Sequence, residues 1–139
     1  MIGTLHSICW HALGQPPIAE TETEAFNADH PSYRITEARA DLDDLTDPGD
    51  SKTHGDGLLQ RYQLLRARMV PRAAWPGMVE SFARAWEGWK AECEALDFND
   101  LIEQATLKIG VPNNATVGFI DEAQDLSTLQ FSLVRKWAD

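Results

Sequence analysis

The strongest constraint on what this chain can fold into is one apolar seam. Val79, Phe82, Trp86, Trp89, Cys93 and Leu96 step by 3, 4, 3, 4 and 3 residues, which puts them all on one face of a continuous helix. A strand cannot use this pattern, because alternate residues would send the large side chains to opposite faces. The seam predicts a helix starting at Pro76, which suits a first helical position since the N–H it lacks would be unpaired there. The two tryptophans need no ligand to explain them. Burying each large apolar side chain is worth ~1.5–3 kcal/mol, which reads the seam as a core face or a partner-helix face.

Other segments organise around that helix. Leu58 to Val70 predicts a helix with Leu58, Tyr62, Leu65 and Met69 on one face and Arg61, Arg66, Arg68 and Arg72 reaching outward. Asp97 and Asp100 have N-cap and N3 spacing for a helix from Phe98 to Ile109, closed by Gly110 and Pro112. Thr116 to Ile120 is a short, partly β-branched apolar run and predicts a buried strand. Ser127 opens the last helix, with Gln130 at capping-box spacing and Leu126 and Phe131 at the positions of a hydrophobic staple. Residues 14–57 carry prolines, glycines and the acids Asp41, Asp43, Asp44, Asp47 and Asp50 but few large apolar residues, so most of this stretch reads as loop. Tyr33 to Thr36 reads as a short extended piece within it.

Charge sharpens the division. The net charge of −10 excludes a basic protein that coats nucleic acid. It is an average of three zones: residues 1–57 hold 3 basic and 11 acidic side chains, residues 58–90 hold 6 and 2, and residues 91–139 hold 3 and 9. The length of 139 residues suits one domain. Cys9 and Cys93 are too few and too far apart for a disulfide framework and predict two buried thiols. No apolar run approaches the ~20 residues that span a bilayer, and the N-terminus has no signal pattern, so no membrane association and a cytoplasmic protein are expected.

The predicted strand runs into Asp121-Glu122-Ala123-Gln124-Asp125 and then the last helix. Carboxylates between the C-terminal end of a strand and a helix entrance stand where α/β sheets place their chemistry. A hard cation that bridges phosphate oxygens takes carboxylate and water ligands, and an adjacent carboxylate can orient or deprotonate an attacking water. Acids also favour a first helical turn through the helix dipole, worth ~0.3–1 kcal/mol each, so the cluster alone does not decide.

Two further strings stand in order with it: Thr4-Leu5-His6-Ser7 running into an apolar helix, and Asp97-Phe98-Asn99-Asp100-Leu101 before the strand. In this order, and with Gln130 downstream, the sequence resembles the UvrD/Rep-like superfamily 1 DNA helicases. The resemblance implies an α/β fold: an incomplete RecA-like (P-loop NTPase) domain fragment, predominantly helical. Residues 1–13 and 97–139 would belong to the first RecA-like domain, and residues 14–96 would be a mostly helical insertion with an acidic loop at 14–57. It implies that Asp121 holds magnesium, that Glu122 polarises the attacking water, and that Gln124, Asp125 and Gln130 link the nucleotide site to DNA or to the second motor domain. Thr4, His6 and Ser7 become candidate single-stranded DNA contacts, and Arg61, Arg66, Arg68 and Arg72 candidates for duplex or backbone contact.

The nucleotide cradle of such ATPases, G-x-x-x-x-G-K-[ST], is missing. Lys52-Thr53 is the nearest candidate, but Thr46 and Ser51 stand where glycines are required, and neighbouring acids would repel phosphate. The family's P-loop lies upstream of the Thr-x-His-Ser string, and its later motifs would lie beyond Asp139. The expectation is a motor segment, inactive alone, that needs Mg2+, ATP, a P-loop-bearing segment and a second RecA-like domain as well as single-stranded DNA or a duplex junction. The alternative is a non-catalytic helicase-like binding or regulatory module that docks partners through the tryptophan seam and arginine face.

Overall fold

The computed structural model describes residues 3–36 and 53–139. Six α-helices make up most of them: α1 Leu5–Ala12, α2 Thr23–Asp29, α3 His54–Ala67, α4 Gly77–Cys93, α5 Phe98–Lys108 and α6 Thr128–Ala138. The described residues are thus predominantly helical and contain no strand, only a single parallel bridge between Ile18 and Leu96. The acids at 41–50 lie outside the described residues.

One core is built by α2, α3 and α4. Val79, Phe82, Trp86 and Trp89 of the seam are buried, as their spacing requires. Phe26 of α2 fits between them, with its ring 6.0, 5.1 and 5.5 Å from those of Phe82, Trp86 and Trp89. Such edge-to-face pairs add ~0.5–1.5 kcal/mol each beyond area burial. Helix α2 corrects the expectation of loop over this stretch: a single phenylalanine anchors it. Behind it Pro31–Tyr33 form a 3-10 turn, which takes in only the first residue of the extended piece expected at Tyr33 to Thr36. The amide of Asn27 then pairs with both backbone groups of Ile35, at 2.8 and 2.7 Å, and seats that side chain in the core. Helix α3 starts four residues earlier than its apolar pattern indicates, because Thr53 and Asp56 form a reciprocal capping box. Gly55 is required there: a Cβ would stand 2.2 Å from the Tyr33 carbonyl oxygen.

The seam stops short of its predicted length. Pro76 is the residue before the helix, not its first position, and the helix ends at Cys93, where Glu94 turns left-handed at φ 53°. Cys93 is therefore exposed, while Cys9 is buried as expected. Leu96 leaves the seam and packs on a second core formed by α1, α5 and α6 around Cys9, Leu101, Ile102, Ala105, Leu129 and Leu133. Both downstream helices start as their caps predict, with Asp97/Asp100 and Ser127/Gln130 capping boxes.

The Thr116–Ile120 run corrects another expectation. It forms neither strand nor helix, and it is exposed: Phe119 keeps 96% of its accessible surface and Val117 69%. The described residues offer it no neighbouring strand, so the pairing that would bury it is missing. No helix among them is long and apolar enough to cross a membrane.

Candidate functional site

The acidic string occupies the turn between that exposed run and α6. Glu122 is left-handed, at φ 52° and ψ 43°, and Ala123–Asp125 make one 3-10 turn. Asp121, Glu122, Gln124 and Asp125 are all exposed. None of the three carboxylates forms an ion pair among the described residues, and no three acidic, His or Cys side chains there converge into a metal-binding cluster. Two exposed carboxylates are still the protein's usual share of a magnesium site, because the remaining ligands are waters and substrate phosphates. Gln130 is committed locally: its Oε1 accepts from the Ser127 N–H at 3.0 Å, and its own N–H donates to Ser127 Oγ at 3.2 Å.

The other two strings also sit at helix starts. Thr4 caps α1, its Oγ1 accepting from the Ser7 N–H at 3.2 Å, and the Ser7 side chain is exposed. His6 is half-buried edge-on against Phe98, with ring centroids 5.5 Å apart, and burial holds its pKa below the ordinary value. His6 therefore offers a neutral imidazole, not a cation. The first and second strings are thus brought together, whereas the acidic turn makes no hydrogen bond to either among the described residues.

The arginines divide in two. Arg61 and Arg68 are exposed. Arg66, expected to point outward, is buried with its guanidinium folded between the two cores. Its Nη1 donates to both Asp97 oxygens at 3.0 Å and to Tyr62 Oη at 3.0 Å. Its Nη2 donates to Asp100 at 2.8 Å and to Glu103 at 2.7 Å. Lys90 enters from α4, 2.7 Å from Asp97 Oδ2 and 2.6 Å from Asp100 Oδ2, and Trp86 Nε1 donates to Asp97 Oδ2 at 3.1 Å. This is a clasp joining the two cores. Burial pushes the Asp97 carboxyl up, but Lys90 and Arg66 overcome it and hold the pKa at about 2. Arg66 is thus not left to hold a phosphate. Arg72 stays at the surface as expected, where it bonds Glu80 and Glu87 on α4, at 2.5 and 2.8 Å, and lies over the Trp75 ring.

Beside the clasp, Glu20 was not singled out by its spacing. It is 6% exposed, its Oε1 accepts from the Phe98 N–H at 3.0 Å, and Oε2 has no hydrogen-bond partner among the described residues. Burial first, and then the Asp97 charge, raise its pKa to about 8. An open groove of about 740 Å³ runs past the clasp and is lined by Arg66, Arg72 and Lys90 together with Glu87, Asp100 and Glu103. Three positive groups meet three negative ones, so the groove has no net attraction for a polyanion. The tryptophan seam is buried and offers no docking face.

Comparison with known proteins returns no matching family model, no matching curated protein and no matching solved structure.

Proposed function

We propose that this chain is a segment of an ATP-dependent DNA helicase motor, contributing magnesium- and water-directing carboxylates and part of a single-stranded DNA path to a RecA-like first domain in the cytoplasm. One observation carries the reading: the three ordered strings sit at the starts of α1, α5 and α6, and these helices share one core although α2, α3 and α4 intervene in sequence. A domain interrupted by a helical insertion needs that arrangement. When bound, magnesium would screen the ATP phosphates. Asp121 would hold it, and Glu122, whose side chain is exposed, would accept a hydrogen bond from water and take its proton. Thr4, Ser7, Arg61, Arg68 and Arg72, all exposed, and the half-buried His6 would be the DNA contacts. Gln124 and Asp125 follow on the same turn, in reach of the second motor domain once it is assembled.

The chain alone does not turn over ATP in this proposal, because a P-loop-bearing segment and a second RecA-like domain complete the site. The test uses the chain co-purified with the segments it assembles with in its own cells. Glu122→Gln is expected to lower ATP hydrolysis by ~10²–10⁴-fold while leaving nucleotide binding intact. Wild-type turnover by that variant, or turnover by the chain alone, removes the proposal.

A further inference from the structure

The clasp is not the only join between the two cores. Residues 16–21, between α1 and α2, lie as a strap along the α4–α5 connection: the Leu96 N–H donates to the Pro17 carbonyl at 2.9 Å, and the Ala19 N–H donates to the Leu96 carbonyl at 2.9 Å. Ala19 and Ala95 belong to the first core, whereas Ile18 and Leu96 pack on the second. Trp10 Nε1 fastens one end of the strap by donating to the Pro16 carbonyl at 2.9 Å, and Glu20 fastens the other by accepting from the Phe98 N–H at 3.0 Å. Glu20 is the strap's one ionisable side chain. Its surroundings do not balance its charge. Arg66 and Lys90 are already matched by Asp97 and Asp100, while Glu20 forms no ion pair and its buried Oε2 has no hydrogen-bond partner among the described residues. The ionisable groups around it are Asp97 and Lys90, with Arg66, Asp100 and Glu103 tied to those two, and His6 of α1 against Phe98. Burial and then Asp97 push the Glu20 carboxyl up, and Lys90 draws it back only in part.

We infer that Glu20 is a proton-operated latch: protonated, it holds residues 16–21 across the start of α5, and loss of the proton releases this strap while both cores stay folded. An ionised Glu20 left in place is a buried carboxylate with no cation of its own, beside a second carboxylate. Release carries the charge into water and relieves that conflict. The strap is the part able to yield, because it is held by few hydrogen bonds and gives the cores only Ile18 and Ala19. The clasp and the aromatic packing of α2 on α4 are made by other residues. Opening the latch therefore removes one of the joins between the cores and leaves the other in place, so that a rise in pH loosens their connection. The inference does not rest on the motor reading.

The test is amide hydrogen exchange of the 139-residue chain by mass spectrometry across neutral and mildly alkaline pH, each rate divided by that of unstructured peptide at the same pH. Once released, Glu20 returns to an ordinary carboxyl near 4.5, so release becomes more favourable as pH rises between that value and about 8 and levels off above it. Protection of the Ala19, Leu96 and Phe98 amides is expected to fall by about tenfold per pH unit as that upper value is approached. It should not respond to low urea, because a local release exposes little surface. Amides in the middle of α4 should be better protected and should lose protection in urea. In Glu20→Gln, which keeps the acceptor for Phe98, the strap amides should hold a constant protection across the pH range. Wild-type protection that does not change with pH, a slope that survives in Glu20→Gln, or strap amides that share the protection and urea dependence of α4 would each overturn the inference. If Glu20→Gln fails to fold, the pH and urea dependence of the wild-type strap still decides it.

Discussion

Replacing Asp97 by Asn tests the clasp most directly, because it changes one buried charge and almost nothing else in shape. Asp97 is 1% exposed and accepts from Arg66, Lys90, Trp86 and the Asp100 N–H. Against burial, Lys90 and Arg66 hold its carboxyl near 2 instead of 3.8, a difference that corresponds to roughly 2–3 kcal/mol of stability at neutral pH. Removing one partner from a buried ion pair costs ~3–5 kcal/mol when the other is left unmatched. Here Arg66 keeps Asp100 and Glu103, and Lys90 keeps Asp100, so the lower end applies. Asn retains an acceptor for the cap of α5. The expected loss for Asp97→Asn is about 3 kcal/mol, and Asp97→Ala should lose ~1 kcal/mol more with the cap.

Urea unfolding followed by tryptophan fluorescence and circular dichroism measures both losses. The pH dependence adds a second, independent reading. A depressed carboxyl contributes stability that is present above its ordinary value and is lost as pH falls through the folded value. Wild-type stability should therefore fall between pH 3.8 and about 2, and the Asn variant should lack that component. If Asp97→Asn stayed within ~0.5 kcal/mol of wild type, the scale of a neutral surface substitution, the account of the clasp would be wrong.

Two further substitutions probe the same architecture from other sides. Glu20 has the opposite sign. Its carboxyl is raised from 4.5 to about 8, so the folded state holds the proton while the unfolded state releases it, and stability falls as pH rises through that window. Glu20→Gln keeps the acceptor for Phe98 and should be more stable than wild type, with an advantage that widens by more than ~1 kcal/mol across the window; a constant difference in chemical denaturation would refute this. Gly55→Ala places a methyl 2.2 Å from the Tyr33 carbonyl and should destabilise by ~1–3 kcal/mol in thermal or urea melts, although alanine is the better helix former. Equal or higher stability would show that the Tyr33–Arg34 backbone yields freely.

What could be read from the sequence was whatever depends on neighbours within a few residues. The seam of α4 and the caps of α5 and α6 are of this kind, since spacing alone places their side chains. Arg66 is not: its carboxylate partners lie 31 to 37 residues away at the cap and in the first turns of α5, and with no acid from Gly57 to Val79 the sequence gives no hint that this arginine is paired. The usable signal was weaker. Tyr62 with Arg66 and Trp86 with Lys90 are both i, i+4 pairs, which put a cation on the same face as a core aromatic. Helix α2 was hidden for a related reason, because one phenylalanine is too little for a periodic pattern and its helix depends on the aromatic pocket of α4. The run at 116–120 has strand composition, but pairing depends on a second strand that composition cannot supply.

The clasp also changes how the charge of the chain bears on its function. The acids of the C-terminal zone fall into different roles: Asp97, Asp100 and Glu103 neutralise cations of the basic middle, whereas Asp121, Glu122 and Asp125 crowd one exposed turn with no ion pair among the described residues. An acid that served the fold would be expected to resemble the first set, buried or paired. The second set has no such work, so Glu122→Gln should leave stability within ~0.5 kcal/mol. That difference is what gives the ATP hydrolysis experiment its meaning. Had Glu122 been part of the clasp, loss of activity in the variant could have been loss of structure. Because it stands outside the clasp, a loss of hydrolysis with unchanged melting and intact nucleotide binding reports on chemistry at the turn.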